Sequence, residues 1–331
     1  MKKNRNGKNG KKKVVVIGGG TGTFTVLTGL KKYPLKLSAV VSMADDGGST
    51  GVLRDELGVL PPGDIRQCLV ALSTSNLLMR TLISYRFSEG RLAGHSFGNL
   101  LLSALEKITG SFDEAVSKAS EILRLEGQVI PVTLKKVILA ARLSSGKIIR
   151  KQNVIHTSNL QGLRKLFLEP KPKANPKAIE AISKADAVVI GPGDLYSSIL
   201  PNLLVSGIPE AIKKTKAKKI YVCNLMTKEC HTDKFKVEDY VKNIESRVGP
   251  LDRIIYNSVH PPASLLKRYA RAGEELVRAG GKLSPERFRG GDLISRKFPK
   301  RKTGDALQRN LVRHNPDRLA KLIAQILEEK F

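Results

Sequence analysis

The 331-residue chain is 41% hydrophobic and carries a formal net charge of +28, from 58 Lys and Arg against 30 Asp and Glu. That apolar content excludes a disordered chain, and no apolar run approaches the ~18 residues that span a bilayer. Cys68, Cys223 and Cys230 are few and odd in number, which excludes a disulfide framework and suits a reducing, cytoplasmic setting.

Residues 1–12 form a Lys, Asn and Gly tail, expected to be disordered. It is basic but lacks an apolar h-region, so it does not read as a signal peptide. Val14-Val15-Val16-Ile17 follows, a short β-branched run that reads as a buried strand of a parallel sheet. Gly18, Gly19, Gly20 and Gly22, with Thr21, then make a turn that side chains would block. Thr23 to Leu30 reads as a helix with Leu27 and Leu30 on one face. Strand, glycine turn and helix place free N–H groups and a helix dipole at one point, a site for phosphate. Thr23 stands where the dinucleotide fingerprint wants its third glycine, and no Gly-Lys-Ser/Thr follows, which excludes a Walker loop. The competing reading is a tight turn that only packs helix on strand.

Leu35 to Met43 reads as strand two and ends in Asp45-Asp46-Gly47-Gly48-Ser49, a second glycine loop at the carboxyl end of a strand, where open parallel sheets bind ligands. An acid here can grip a ribose or hold Mg²⁺, or simply shape a turn. Pro61-Pro62-Gly63 makes a rigid turn before Asp64, which reads as a helix N-cap or as a carboxylate aimed into the same cleft, with Arg66 close behind. From Ile65 to about Leu125 the period is helical, an insertion over the sheet. Inside it, His95 and Asn99 lie at a glycine-framed helix start, placed either to touch a ligand or to hold structure.

Residues 129–156 read as a β-hairpin excursion joined by Ser145-Gly146, and Leu168 to Asn175, rich in Pro, as a loop. A helix at 176–184 leads to a third buried strand at Ala187-Val188-Val189-Ile190. Gly191-Pro192-Gly193-Asp194 then enters a helix containing Tyr196, a second candidate phosphate turn. Asp194 opposes that reading, since a carboxylate repels phosphate unless a metal or a Lys intervenes. Strands at 219–223 and 253–257 follow, the fourth ending at Asn224. Asn315 to Phe331 reads as an amphipathic helix. Cys230-His231 lacks a second Cys/His pair at ligand spacing, so no metal is read there. The stretch Arg296 to Lys302 is basic, but with 5% aromatics, no Trp and no nucleic-acid motif it reads as a solvated surface.

In sum of motif content, GGGTG, ADDGGSTGVLRDELG, PPGDIR, GHSFGNLL, GPGDLYSSILPNLL, CNLMT and RHNPDRLAKLI, in that order, resemble the gluconeogenesis-factor (YvcK-like) family within the CofD-like superfamily. The resemblance covers roughly Lys13 to the C-terminus. It implies a Rossmann-like, mostly parallel sheet in a three-layer αβα sandwich, one domain over 13–331 with the helical insertion at about 65–125 and the hairpin excursion. It implies binding of a UDP-sugar such as UDP-N-acetylglucosamine and a regulatory role in cell shape and cell-wall synthesis on gluconeogenic carbon sources, through wall-synthesis or regulatory partner proteins or a homo-oligomer. The CofD branch implies the alternative, a Mg²⁺-dependent transferase of a phosphorylated or nucleotide-activated group, with Asp45, Asp46 and Asp64 as the metal's carboxylates. Two departures from the family pattern stand out. Asp194 occupies a Ser position, and Lys228-Glu229-Cys230-His231-Thr232 replaces Gln-x-Gly-Glu-Thr.

The candidate ligand-binding set is Gly18, Gly19, Gly20, Thr21, Gly22, Asp45, Asp46, Gly47, Gly48, Ser49, Asp64, Arg66, His95, Asn99, Gly191, Pro192, Gly193, Tyr196 and Asn224. No Ser-His-Asp or Cys-His context supports covalent chemistry. A third reading, NAD-dependent oxidoreduction, rests on the first glycine loop alone and lacks a hydride-transfer site. No transmembrane segment and no nucleic-acid partner are expected.

Overall fold

The structure is a computed structural model that describes residues 10–296 and 312–329. Residues 1–9 of the basic tail and the basic stretch 297–302 lie outside the described residues.

Strand β1 (Lys12–Gly18) buries Val14, Val15, Val16 and Ile17 completely or nearly so, as a strand covered on both faces requires. The chain turns through Gly19 into α1 (Gly20–Leu30), and β2 (Leu35–Val41) returns parallel to β1, with Val14 opposite Leu37 and Gly18 opposite Val41. The helix begins three residues before the apolar periodicity does, because glycines rather than apolar residues form its first turn.

The helical insertion follows: α2 (Gly48–Leu57), α3 (Gly63–Leu72), α4 (Leu77–Ser84), α5 (Phe97–Thr109) and α6 (Phe112–Ile122). Local signals set its limits. Ser96 and Ser111 accept N–H bonds from Asn99 and Glu114, three residues on. Gly58 and Gly110 end α2 and α5 at φ of 69° and 72°, where a glycine is at home.

The region read as one hairpin excursion divides into three. Strand β3 (Gln128–Pro131) joins the main sheet beside β2, where Val129 and Ile130 are buried against strand and helices. Only β4 (Ile138–Leu143) and β5 (Ile148–Arg150) form the hairpin. The segment Gln152–Thr157 is helix α7, not strand. Its N–H groups at Gln152 and Asn153 donate to the Asp46 carboxylate, each at 2.9 Å, a partner that no local pattern reveals. Strand β6 (Leu163–Glu169) pairs antiparallel with β4 and takes Leu168 out of the expected loop, because Leu166 and Leu168 alternate onto a buried face before Pro170 stops the strand.

The chain then re-enters the main sheet. Helix α8 (Pro176–Ser183) leads to β7 (Ala187–Ile190), a π-turn over Leu195–Ile199, and α9 (Leu200–Leu203). Next come α10 (Ile208–Lys214), β8 (Lys218–Val222), α11 (Val237–Val248), β9 (Arg253–Asn257), α12 (Ala263–Ala270), β10 (Phe288–Gly291) and α13 (Pro316–Glu328). The seven main strands run β10-β9-β8-β7-β1-β2-β3 and every pair is parallel. The αβα layering and the parallel sheet are as expected, with β3 and β10 as edge strands beyond the five read from the sequence. The antiparallel sheet β5-β4-β6 stands beside it. Among the described residues, no helix is long and apolar enough to cross a membrane.

Candidate functional site

Strand order reverses between β1 and β7. The chain steps outward from β1 to β2 and β3, then restarts on the other side of β1 at β7 and steps outward the other way. The loops leaving β1 and β7 therefore meet at the carboxyl ends of adjacent strands, the crevice position where such sheets usually bind ligands. Gly18–Gly22 leaves β1 and Gly191–Gly193 leaves β7, so both glycine loops flank this point. The loops touch. A Cβ on Gly22 would sit 2.0 Å from the Pro192 carbonyl oxygen, so only glycine permits the contact.

Under the first loop lies a pair of half-buried carboxyls. Asp64 is the second residue of α3, whose N-cap is Pro62, so it is no cap. Its side chain instead reaches the first glycine loop. A Cβ on Gly19 would meet Asp64 Oδ2 at 2.3 Å, and the Gly20 N–H donates to the Asp64 carboxyl. Gly20 itself takes φ of 64°, a conformation that disfavours any side chain. Asp45 accepts the Gly47 N–H at 3.1 Å and the Thr50 hydroxyl, and packs so closely on Gly63 that a Cβ there would come within 2.4 Å of its Oδ2. Burial pushes the Asp45 carboxyl above its ordinary range. Burial, and then the charge of Asp45, push Asp64 up to about 8. Both shifts favour the protonated, uncharged form of the pair.

Asp64 therefore lends stability in its protonated form, fully present below the unfolded value near 4 and lost as pH rises through about 8. Asp64→Asn removes that loss, so its urea midpoint should fall less than the parent's between pH 5.5 and pH 8. Equal falls in the two proteins would show that Asp64 ionises freely in the folded state.

Asp46 does not join the pair. Both its oxygens accept the N–H groups that open α7, and the three acids do not gather at one point. Among the described residues, no group of three His, Cys, Asp or Glu is placed to hold a metal. Asp45 and Asp64 remain a two-carboxylate position, which fits a Mg²⁺ that takes its other ligands from water and substrate phosphates.

Ser49, Arg66, His95 and Asn99, distant in sequence, form one chain of hydrogen bonds. Arg66 Nε donates to Asn99 Oδ1 at 2.9 Å, Asn99 Nδ2 donates to Ser49 Oγ at 3.2 Å, and Ser49 Oγ lies 3.1 Å from His95 Nδ1. Ser49 and Asn99 are buried, and His95 is half-buried. Gly47 and Gly48 open α2 beneath them, with Gly48 at φ of 47°. Thr21 is exposed at the first turn of α1.

The second glycine loop differs from its expected form. Asp194 Oδ1 accepts the Ser197 N–H at 2.8 Å, so the protein's own carboxylate occupies that helix start, and the helix is a single π-turn. The Lys that could offset this charge is present. Lys228 Nζ lies 3.2 Å from Asp194 Oδ2 and donates to His156 Nδ1 at 2.7 Å, while His156 Nδ1 is 3.2 Å from Ser197 Oγ. Burial works to raise the Asp194 carboxyl, but Lys228, with His156 and His231, outweighs it and holds the group well below the carboxylate range. Burial lowers His156 and Lys228, against the pull of Asp194. Tyr196 flanks this cluster, its ring 6.2 Å from that of His231. Asn224 leaves β8 with its Oδ1 buried and without a hydrogen-bond partner.

Lys228, His156 and Ser197 are the residues that sequence reasoning missed. Lys228 follows CNLMT directly and replaces a family Gln, a signal that could have paired it with the unexpected Asp194. His156 carried no such signal, because its segment reads as strand.

Residues 14–289 match the family described as 2-phospho-L-lactate transferase CofD. The chain is 39% identical over 326 residues to the gluconeogenesis factor of Listeria innocua, covering 97% of each chain. It is 43% identical over 271 residues to the gluconeogenesis factor of Halalkalibacterium halodurans, covering 81% of this chain and 84% of that one. A crystal structure of a UPF0052 family member from Bacillus halodurans superposes with a TM-score of 0.84 at 37% identity, covering 95% of this chain and 99% of that chain.

Proposed function

The chain belongs to the gluconeogenesis-factor family of the CofD-like superfamily, and from that membership we propose that it is a regulatory protein binding a UDP-sugar, such as UDP-N-acetylglucosamine, between β1 and β7. The observation that carries this reading is the convergence of two glycine loops on the one point where strand order reverses. In this reading the diphosphate takes the N–H groups of the first turn of α1 other than that of Gly20, which Asp64 already accepts. Asn224, with an unpaired buried Oδ1, offers an acceptor to a ribose hydroxyl or a base N–H. The chain Arg66–Asn99–Ser49–His95 holds polar groups in fixed positions on the insertion side. In the cell we place this sensor in the cytoplasm, governing cell shape and wall synthesis on gluconeogenic carbon through a partner protein.

Calorimetry against UDP-N-acetylglucosamine, GDP and NAD tests the reading. The UDP-sugar should bind and NAD should not. Asp46→Ala and Asn224→Ala should each weaken that binding by about 1–3 kcal/mol, Asn224 through a lost hydrogen bond and Asp46 because α7, and with it His156, loses its anchor. Normal affinity in both variants would move the ligand elsewhere.

The Asp45–Asp64 pair favours one second reading, a transferase. When bound there, Mg²⁺ would supply charge for a departing phosphate. The chain's own part would be to hold that ion on Asp45 and Asp64 and to orient the nucleotide on the glycine loops. Among the described residues, His95 bonds to Ser49, and His156 to Ser197 and Lys228, and neither is hydrogen-bonded to the Asp45–Asp64 pair, so binding without turnover is the expected result. Phosphorus NMR of protein with Mg²⁺ and UDP-N-acetylglucosamine, alone and with cell extract, should remain unchanged. New resonances that vanish in Asp64→Ala would establish the transferase instead.

A further inference from the structure

A cavity of about 730 Å³ opens at the opposite end of the sheet, where β1, β2 and β3 begin, walled by α6 and α8. Three residues of β1, from Val15 to Gly18, separate it from the proposed nucleotide crevice, about 10 Å. Its volume suits a small molecule. Two features of its lining point to the chemistry of that molecule.

The first is a pair of lysines. Lys13 on β1 and Lys36 on β2 are direct partners in the parallel register and both line the cavity. Registered partners project from the same face of a sheet at the spacing of neighbouring strands. Like charges so placed repel. Lys12, one residue earlier, projects the other way and hydrogen-bonds the Leu327 carbonyl. Among the described residues, neither Lys13 nor Lys36 has an ion-pair partner, and the acids of the walls are engaged elsewhere. Asp113 pairs with Lys177 and Glu180 with Lys184, each at 2.5 Å. Asp186, at the near end, accepts the Lys13 backbone N–H at 2.6 Å. The second feature is the depth of the cavity. Val15, Val116 and Val129 contribute an apolar part of its floor beside polar Ser38, Ser120 and Gln128, while Lys13 and Lys36 are exposed at its rim.

We propose that this cavity binds a small organic anion, a carboxylate or phosphate monoester on an apolar body. The charged head sits between Lys13 and Lys36 and relieves their repulsion. The body lies against Val116 and Val129. This site is separate from the nucleotide crevice and does not depend on what binds there.

The probe is 8-anilinonaphthalene-1-sulfonate, an anion on an aromatic body, followed by its fluorescence on the folded full chain. Binding should saturate and persist in excess UDP-N-acetylglucosamine. Octanoate or octyl phosphate should displace the dye. The double variant Lys13→Gln, Lys36→Gln should weaken dye binding about tenfold or more, since two charge-assisted contacts go. Ser117→Trp, at an exposed position on the cavity wall, should block binding while circular dichroism stays native. Unsaturable dye binding, or parental affinity in both variants, would overturn the proposal, as would failure of both alkyl anions to compete.

Discussion

Gly22→Val should lose about 3 kcal/mol or more of stability and all UDP-sugar binding. Gly22 is the third residue of α1, and its α-hydrogens face the loop that follows β7. A Cβ would lie 2.0 Å from the Pro192 carbonyl oxygen and 2.7 Å from its carbon. Both are backbone atoms, so no rotamer change relieves the overlap. Either α1 must lift from the sheet or the second loop must retreat, and overpacking of that kind costs about 1–3 kcal/mol even where side chains can adjust. Both movements spread the two loops that flank the crevice. Urea unfolding followed by circular dichroism measures the first effect and calorimetry the second. Thr21→Ala, one residue away and exposed, is the control and should change stability little. A parental urea midpoint in Gly22→Val would show that the loops do not touch.

Asp194→Ala should cost about 2–3 kcal/mol, somewhat below a fully buried pair because the Asp194 and Lys228 side chains remain 17% and 23% exposed. Removal of the carboxylate strands the Lys228 ammonium, uncaps the Ser197 N–H and leaves His156 facing a lone cation. The double variant Asp194→Ser, Lys228→Gln removes both charges and should recover most of the loss. The pH dependence follows from the depressed Asp194 carboxyl. A group held below its unfolded value contributes stability above that value, near 4, and loses it as pH falls toward the folded value. The parent should therefore lose this contribution in acid, and Asp194→Ala should have none to lose. Strict additivity of the two single substitutions in a double-mutant cycle would dissolve the pair.

Much of this architecture was legible in the sequence wherever a short-range signal sufficed. Val14 to Ile17 and Ala187 to Ile190 are β-branched and too short to be anything but buried strands, and the glycines after them announce turns. The helical period from Ile65 to about Leu125 likewise marks the insertion. What escaped was decided by partners far along the chain. Gln152 to Thr157 alternates well enough for a strand, yet it is a helix whose opening N–H groups are accepted by the distant Asp46 carboxylate. Val129 and Ile130 would serve a hairpin as readily as a sheet edge, and only the open side of β2 assigns them. In the crevice, the glycine loops and Asp45, Asp64, Arg66 and Asn99 were readable as motif pieces. Their connections were not. Nothing local shows that Asp64 turns from its own helix to the Gly20 N–H, or that Lys228 seeks Asp194. Those contacts join residues from different βα units, and only the packed sheet brings them together.

The position of β7 also governs when the crevice can exist. Val14 pairs with Ala187, and all of β2 to β6 lies between them in the chain. Closing so long a loop is entropically expensive, and contacts of such separation form late in folding. During synthesis, β1 can pair with β2 and the helical insertion can collapse onto that pair long before β7 leaves the ribosome. The loops after β1 and β2 would then stand on a half-built sheet with no opposite wall. The crevice thus waits for the second half of the chain, and a ribosome-bound fragment ending before β7 would be compact yet lack one wall of the proposed ligand site.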